Sequence, residues 1–318
     1  MKQLTLEEIA RDLICPQCKK LSLQAPPLFE SIEFGAMKCE SCSREFPIEQ
    51  GVPNFLLMER LDKTNLEEIR GNVYDTRDAS LVSCVTNKWN GSAAYVHSLS
   101  CAVKNVEHAL GRLRNDHTVL VSLGSGTGFE LQRLYKRLSF AKVYASDISL
   151  SAVSLVPVTL AGETTSVGTF VSEFKNLPLS KRENWIGLVF QALHHTSDIH
   201  DALDEPLGNS FETLIIVEPT TNWFIEWLAR FGLAKRIEYS GLNPSWLDLT
   251  VSKKIAEKHK YDLKIETWWE IPPYVSERLD RSALLRAIVT KSVDLFSALT
   301  NLISFGSMSC VVFTSKQR

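Results

Sequence analysis

The chain has 318 residues, 44% of them hydrophobic and 23% charged, with a formal charge of -2. That length allows one large or two moderate domains, and the mix is that of a globular chain without low-complexity tracts. So small a net charge gives no general pull toward nucleic-acid phosphates or anionic membranes, so such a partner would need a local patch.

The opening "MKQLTLEEIARDLI" scatters Leu4, Leu6, Ile9, Ala10 and Leu13 among charged residues. It lacks the apolar run of a secretory leader, and a cytoplasmic location is expected. Of seven cysteines, four follow at once, Cys15 and Cys18 in "CPQC" and Cys39 and Cys42 in "CESC"; Cys84, Cys101 and Cys310 are scattered. Two residues between cysteines let one tight turn aim both thiolates at a single ion, and two such turns complete the tetrahedral shell of structural Zn2+. Redox pairs or buried thiols are the alternatives, and the absence of a βαβ pattern around these cysteines disfavours the redox reading. "SIEFGAMKC" and "REFPIEQGVPNFL" supply β-formers, with Gly51 and Pro53 as punctuation. A small β ribbon is expected, with the metal supplying folding energy that so short a segment cannot draw from its own core.

On "CPQC", "CESC" and the trailing "FPIEQGVPNFL", the segment from about residue 10 to 57 resembles the Trm112-like zinc ribbons that precede methyltransferase domains in many bacterial proteins. The resemblance implies a structural or docking module, through which a protein partner could be engaged.

From Glu59 to about Asp116 the apolar residues recur at three- and four-residue spacing, as in a helical connector or cap. The pattern then changes within "HTVLVSLGSGTGFELQRLYKRL". Val119, Leu120, Val121 and Leu123 read as a strand buried on both faces, followed by a glycine turn and a helix, the first unit of a doubly wound sheet. Gly124, Gly126 and Gly128 let the backbone turn sharply and approach a ligand, with helix N–H groups beyond them. The next strand, "AKVYASDIS", ends in Asp147, placed to accept both hydroxyls of a ribose. A dinucleotide needs G-x-G-x-x-G to seat its pyrophosphate; the shorter G-x-G-x-G spacing favours an adenosine ligand without one.

These stretches resemble motifs I and II of class I methyltransferases, and the likeness runs over about residues 106 to 318. "SEFKNLPL" resembles the acidic motif before strand four, "FETLIIVEP" strand five, and "YDLKIETWWEI" and "GSMSCVVFTSK" the last two strands, the final one antiparallel. The resemblance implies an α/β, Rossmann-like, doubly wound seven-stranded methyltransferase sheet with a small N-terminal β zinc ribbon. It also implies S-adenosylmethionine held by Ser122, Gly124, Ser125, Gly126, Gly128, Asp147, Ile148, Glu173, Phe174 and Gln191. Two positions depart from the family pattern. Ser122 stands where an acidic residue usually helps hold the methionine amino group, and loses charge assistance there; Glu173 replaces the commoner Asp near the adenine. The expected division is ribbon 1–58, connector 59–116 and methyltransferase domain 117–318.

Methyl transfer from a sulfonium mainly needs positioning and water exclusion. His194 and His195 follow strand four at the ligand edge of the sheet and are the candidate bases, unless they only shape the pocket; His200 and Glu218 rank below them. Trp223, Phe224, Trp227 and Phe231 on helical spacing, with Trp268, Trp269 and Tyr274, read mainly as core or lid packing. Any that face the cleft suit a planar, sugar or lipid-linked acceptor. The stretch 283–303 is amphipathic but broken by Arg286, Lys291 and Asp294; a membrane span is excluded on cost, and surface contact is the lesser reading. The expected function is S-adenosylmethionine-dependent methyl transfer to a small-molecule, glycan- or lipid-linked acceptor. An RNA methyltransferase and a non-catalytic interaction protein are the alternatives. Residues 1–60 carry seven Lys and Arg against nine Asp and Glu, the wrong sign for phosphate binding.

Overall fold

A computed structural model describes residues 2–26, 34–71, 78–86, 91–113, 115–161, 166–231, 246–271 and 279–316. Strand β1 (Lys2–Gln3) leads into helix α1 (Leu6–Asp12), and a four-stranded antiparallel sheet follows: β2 (Leu23–Gln24), β3 (Phe34–Cys39), β4 (Glu45–Glu49) and β5 (Val52–Pro53). Thr5 caps α1 by a capping box, its hydroxyl accepting from the Glu8 N–H while the Glu8 carboxylate accepts from the Thr5 N–H. The two cysteine turns are built alike. Lys19 N–H donates to Cys15 O and Ser43 N–H to Cys39 O, each at 2.8 Å, with Lys19 and Ser43 in the left-handed region at φ 58° and 60°.

Helices α2 (Lys63–Gly71), α3 (Ala79–Thr86) and α4 (Ala93–Leu113) come next. The large sheet then forms from β6 (Val119–Leu123), β7 (Lys142–Asp147), β8 (Ser166–Val171), β9 (Trp185–Phe190), β10 (Thr213–Pro219), β11 (Tyr261–Trp268) and β12 (Met308–Ser315), with helix α5 (Phe129–Arg137) after β6. Its order is β1-β8-β7-β6-β9-β10-β12-β11, parallel from β1 to β10 and antiparallel on both sides of β12. The seven expected strands are therefore joined by an eighth, because Lys2 and Gln3 pair with Ser166 and Val167. The sheet keeps the doubly wound seven-stranded order that the sequence resemblance implies, with one strand added at its edge.

Alternation along the strands sorts the core onto two faces. Val121, Leu123, Tyr144, Phe170, Leu214 and Ile216 join a cluster with Ile9, Leu13, Phe46, Phe55 and Leu57 of the ribbon region. Leu120, Val143, Ala145, Val171, Ile215 and Val217 join the other, with Leu99, Val103, Val106 and Leu110 of α4. The ribbon is thus one covering layer of the sheet, not a self-sufficient module held by metal alone. Phe46, Phe55 and Phe170 form a ring ladder across the junction, with centroids 5.2 and 6.1 Å apart. Asp12 anchors α1 to the sheet, accepting from Tyr144 Oη at 2.6 Å and Lys142 Nζ at 2.5 Å. The chain leaving the ribbon donates Phe55 N–H to Val171 O at 2.9 Å.

The far side corrects one expectation. Trp223, Trp227 and Phe231 are exposed, and among the described side chains of helix Trp223–Arg230 Ile225 is the buried one. Phe224 meets Trp269 edge to face at 5.7 Å, so the aromatics cluster with one another at the surface. The helix Ala283–Asn301 has no buried residue. An amphipathic pattern reports that an apolar face exists, not that the chain itself covers it. Tyr274 lies outside the described residues. No helix among the described residues is long and apolar enough to cross a membrane.

Candidate functional site

Strands β6 to β9 end at a cavity of about 340 Å3, within the roughly 300–1,000 Å3 of small-molecule sites. Its floor is the turn after β6. Gly124 and Gly126 lie at φ 63° and 51°, a region that disfavours any side chain, and a Cβ on Gly124 would stand 2.3 Å from the Ala192 Cβ. The backbone therefore comes closer to the cavity than any other residue would permit.

Gly126 N–H donates to Asp147 Oδ2 at 2.7 Å, and Ser149 N–H to Oδ1 at 2.8 Å. Those two bonds aim the carboxylate into the cavity; burial nonetheless pushes its pKa up, outweighing the N–H donors. Ser125 lines the same floor, and its buried Oγ has no hydrogen-bond partner among the described residues. Across the cavity Glu173 accepts from Asn65 Nδ2 at 3.0 Å and Asn176 Nδ2 at 2.5 Å. Burial raises the Glu173 carboxyl as well. Ile148, Phe174 and Gln191 complete the expected set along the wall, Gln191 with a left-handed φ of 53°.

Two expected residues lie behind that wall. Gly128 sits at the start of α5 with φ 75°, packed near Val156. Ser122 points to the α4 side of the sheet and is fully buried, donating from Oγ to Glu130 Oε1 at 3.0 Å. The carboxylate beside Ser122 thus comes from Glu130 in the first turn of α5, and like Ser122 it does not line the cavity.

Both histidines reach the cavity and both have carboxylate partners. His194 Nδ1 lies 2.7 Å from Glu218 Oε2, while Glu218 Oε1 accepts the Ala192 and Leu193 N–H groups at 2.7 and 2.6 Å. His195 Nδ1 lies 3.2 Å from Glu68 Oε1, and the two imidazole centroids are 4.2 Å apart. A carboxylate on Nδ1 fixes the ring and its tautomer, turning Nε2 into the proton-accepting atom. His195 is the more open of the two, its side chain 33% exposed against 7% for His194. His200 does not line this cavity. Glu68, Asn65 and Asp62 make the connector part of the wall, a contribution visible in the sequence only as polar residues on one face of a helix.

The second candidate centre is the ribbon. Cys15 and Cys42 sulfurs are 3.7 Å apart, and those of Cys18 and Cys39 are 3.6 Å apart. A tetrahedral ion at about 2.3 Å from each sulfur sets an edge of about 3.8 Å, so the four thiols fit one zinc ion. Ser22 Oγ, 3.0 Å from the Cys39 sulfur, adds an outer hydrogen bond.

Comparison with known proteins agrees at the N-terminus, where the Trm112p-like protein family profile matches residues 13–51. None of the curated proteins matches the sequence. Among solved structures, a complex of the Haloferax volcanii Trm112 methyltransferase activator with a methyltransferase is similar at 14% identity and TM-score 0.48, over 74% of this chain and 98% of that one. Magnesium protoporphyrin IX methyltransferase from Synechocystis PCC 6803, with bound SAH, is similar at 14% identity and TM-score 0.47, over 80% and 95%. The CurJ carbon methyltransferase is similar at 15% identity and TM-score 0.48, over 81% of this chain and 62% of that one.

Proposed function

We propose that this protein is an S-adenosylmethionine-dependent methyltransferase with a structural zinc ribbon, acting on a small-molecule, glycan- or lipid-linked acceptor. The observation that carries the reading is the cavity floor, where a buried Ser125 hydroxyl without a protein partner sits beside the Gly124–Gly126 turn and Asp147. A buried polar atom that the fold leaves unpaired calls for a partner, and inside a cavity a ligand can supply it. Asp147 would hold the ribose hydroxyls, Glu173 and its Asn65 and Asn176 partners the adenine edge, and Ser125 a polar atom of the same ligand. When bound, S-adenosylmethionine supplies a methyl group already activated on a sulfonium, so the chain's own task is positioning and dryness.

His195 takes the acceptor's proton at Nε2 in this reading, its ring held from behind by Glu68. His194, locked on Glu218, is the wall against which His195 stacks. The ribbon serves its own chain: through Phe46, Phe55 and α1 it covers one face of the sheet whose strand ends carry the cavity. Ribbon 1–58, connector 59–116 and transferase domain 117–318 then divide the work as scaffold, wall and floor.

Calorimetric titration of the zinc-loaded protein with S-adenosylhomocysteine tests this. Micromolar binding is expected, weakened at least hundredfold by Asp147→Ala. Absence of heat from the unaltered protein at high ligand concentration would instead leave a methyltransferase fold kept for interaction alone.

A further inference from the structure

A second cluster of metal-binding side chains lies far from the ribbon. His97 and Cys101 stand four residues apart on α4, one turn above the other on a single face. Asp294, on helix Ala283–Asn301, reaches them from the opposite side: His97 Nε2 is 3.2 Å from Asp294 Oδ1 and 3.7 Å from the Cys101 sulfur. One donor atom from each residue falls within 4.8 Å of the others.

The separations have a specific reading. Zinc bonds of about 2.0–2.1 Å to nitrogen or oxygen and about 2.3 Å to sulfur give tetrahedral edges of about 3.3 Å for N–O and about 3.6 Å for N–S. The two edges at His97 Nε2 agree with those values within about 0.1 Å, and the Cys101 and Asp294 donor atoms lie within 4.8 Å of each other. Imidazole, thiolate and carboxylate are together a zinc donor set, too nitrogen- and sulfur-rich for calcium or magnesium. His97 also borders an open cleft lined by Asp280, Arg286 and Thr290, which gives an ion a way in.

The position gives the site a purpose. Helix Ala283–Asn301 has no buried residue; Val289 and Val293 pack, partly buried, on the small cluster of Ala94, Ile271 and Leu279, while Phe296, Ser297, Thr300 and Asn301 tie its C-terminal end to Thr267 and Trp269. Its hold on β11 is therefore made near its C-terminal end, and toward α4 its apolar packing is thin. We infer that His97, Cys101 and Asp294 form a second zinc site, with three protein ligands and one position open to water, which clamps the C-terminal helix onto α4.

The test is a count of ions on the full-length protein. After zinc loading and exhaustive dialysis, elemental analysis should find two zinc ions per chain, and one in Cys101→Ser. Asp294 is exposed, so Asp294→Asn tests the site without threatening the core; it should weaken the second ion at least tenfold and leave the first unchanged. Cobalt substitution assigns the ions independently, because the intense four-thiolate spectrum of the ribbon should persist in Cys101→Ser. One ion in the unaltered protein, or two held equally tightly in both variants, overturns the inference.

Discussion

At one edge of the large sheet, β8 is closed by β1 along its start and by the chain leaving the ribbon at its end, whereas at the other edge β11 meets no further strand among the described residues. The covered half buries Phe46, Phe55, Tyr144 and Phe170 almost completely. The open half instead shows Asp262 and Lys264 on β11 and a surface of Trp223, Leu295, Leu299 and Leu302 nearby. Unpaired edges invite association and are blunted either by cover or by charge; this sheet uses cover on the cavity side and charge on the other. The ribbon acts on the cavity through the strands it covers, since none of its described residues lines it, and Glu218 of β10 ties His194 in the cavity wall to the other half.

Breaking the ribbon should make this asymmetry largest. Cys39 is fully buried and belongs to the four-sulfur cluster, and structural zinc sites contribute on the order of 10 kcal/mol of folding free energy in small domains. Cys39→Ser is expected to cost several kcal/mol, comparable to loss of a native cross-link. Hydrogen exchange should localise the damage. The Leu4 and Phe55 amides, which donate to Val167 and Val171 of β8, should lose protection. The β10–β12 and β11–β12 ladders should retain theirs, and equal loss at both edges would show that the sheet does not divide in this way.

A smaller effect, opposite in sign, is expected at the cavity floor. Burial holds the Asp147 carboxyl above its ordinary value of 3.8, so in the intermediate range the folded protein binds a proton that the unfolded chain does not. The residue's contribution to stability therefore declines as pH rises through that range. Asp147→Asn should stabilise the ligand-free protein at neutral pH by about 0.5–2 kcal/mol, with the gain vanishing in acid below 3.8. Denaturant melts at pH 7 and under acid conditions check it; an equal difference at both would remove the carboxylate as its cause.

These sites were unequally legible in the sequence. The cysteine turns and the Gly124–Gly126 turn are local, each a short turn of fixed spacing, and Asp147 was legible because it ends the next strand of the same βαβ unit. The histidine partners are not local. Glu68 and His195 are 127 residues apart, and Glu218 and His194 are 24 apart, so only the sheet order brings them together. The Ser122–Glu130 pair was not legible because Glu130 belongs to the next helix. The eighth strand was hidden for a different reason: two residues are too few to show a period, and their pairing is dictated by the free edge of β8. Aromatic spacing identified the faces of the late helices correctly, but it carries no information about what meets them.

The smallest expected effect sharpens the contrast most. Leu299 is 60% exposed on the C-terminal helix, and substitution of an exposed side chain usually changes stability by no more than about 0.5 kcal/mol. Leu299→Gln should therefore leave the denaturation midpoint almost unmoved, in contrast to Cys39→Ser on the covered half. Its consequence should be colloidal, because it removes one of the exposed apolar side chains, among them Leu295 and Leu302, at this end of the chain. Light scattering should show less self-association at equal protein concentration. A stability loss above about 1 kcal/mol, growing as the unaltered protein is concentrated, would mean that this face is covered in solution by a second molecule. The two halves of the sheet would then differ only in where the cover comes from, the chain's own ribbon on one side and another molecule on the other.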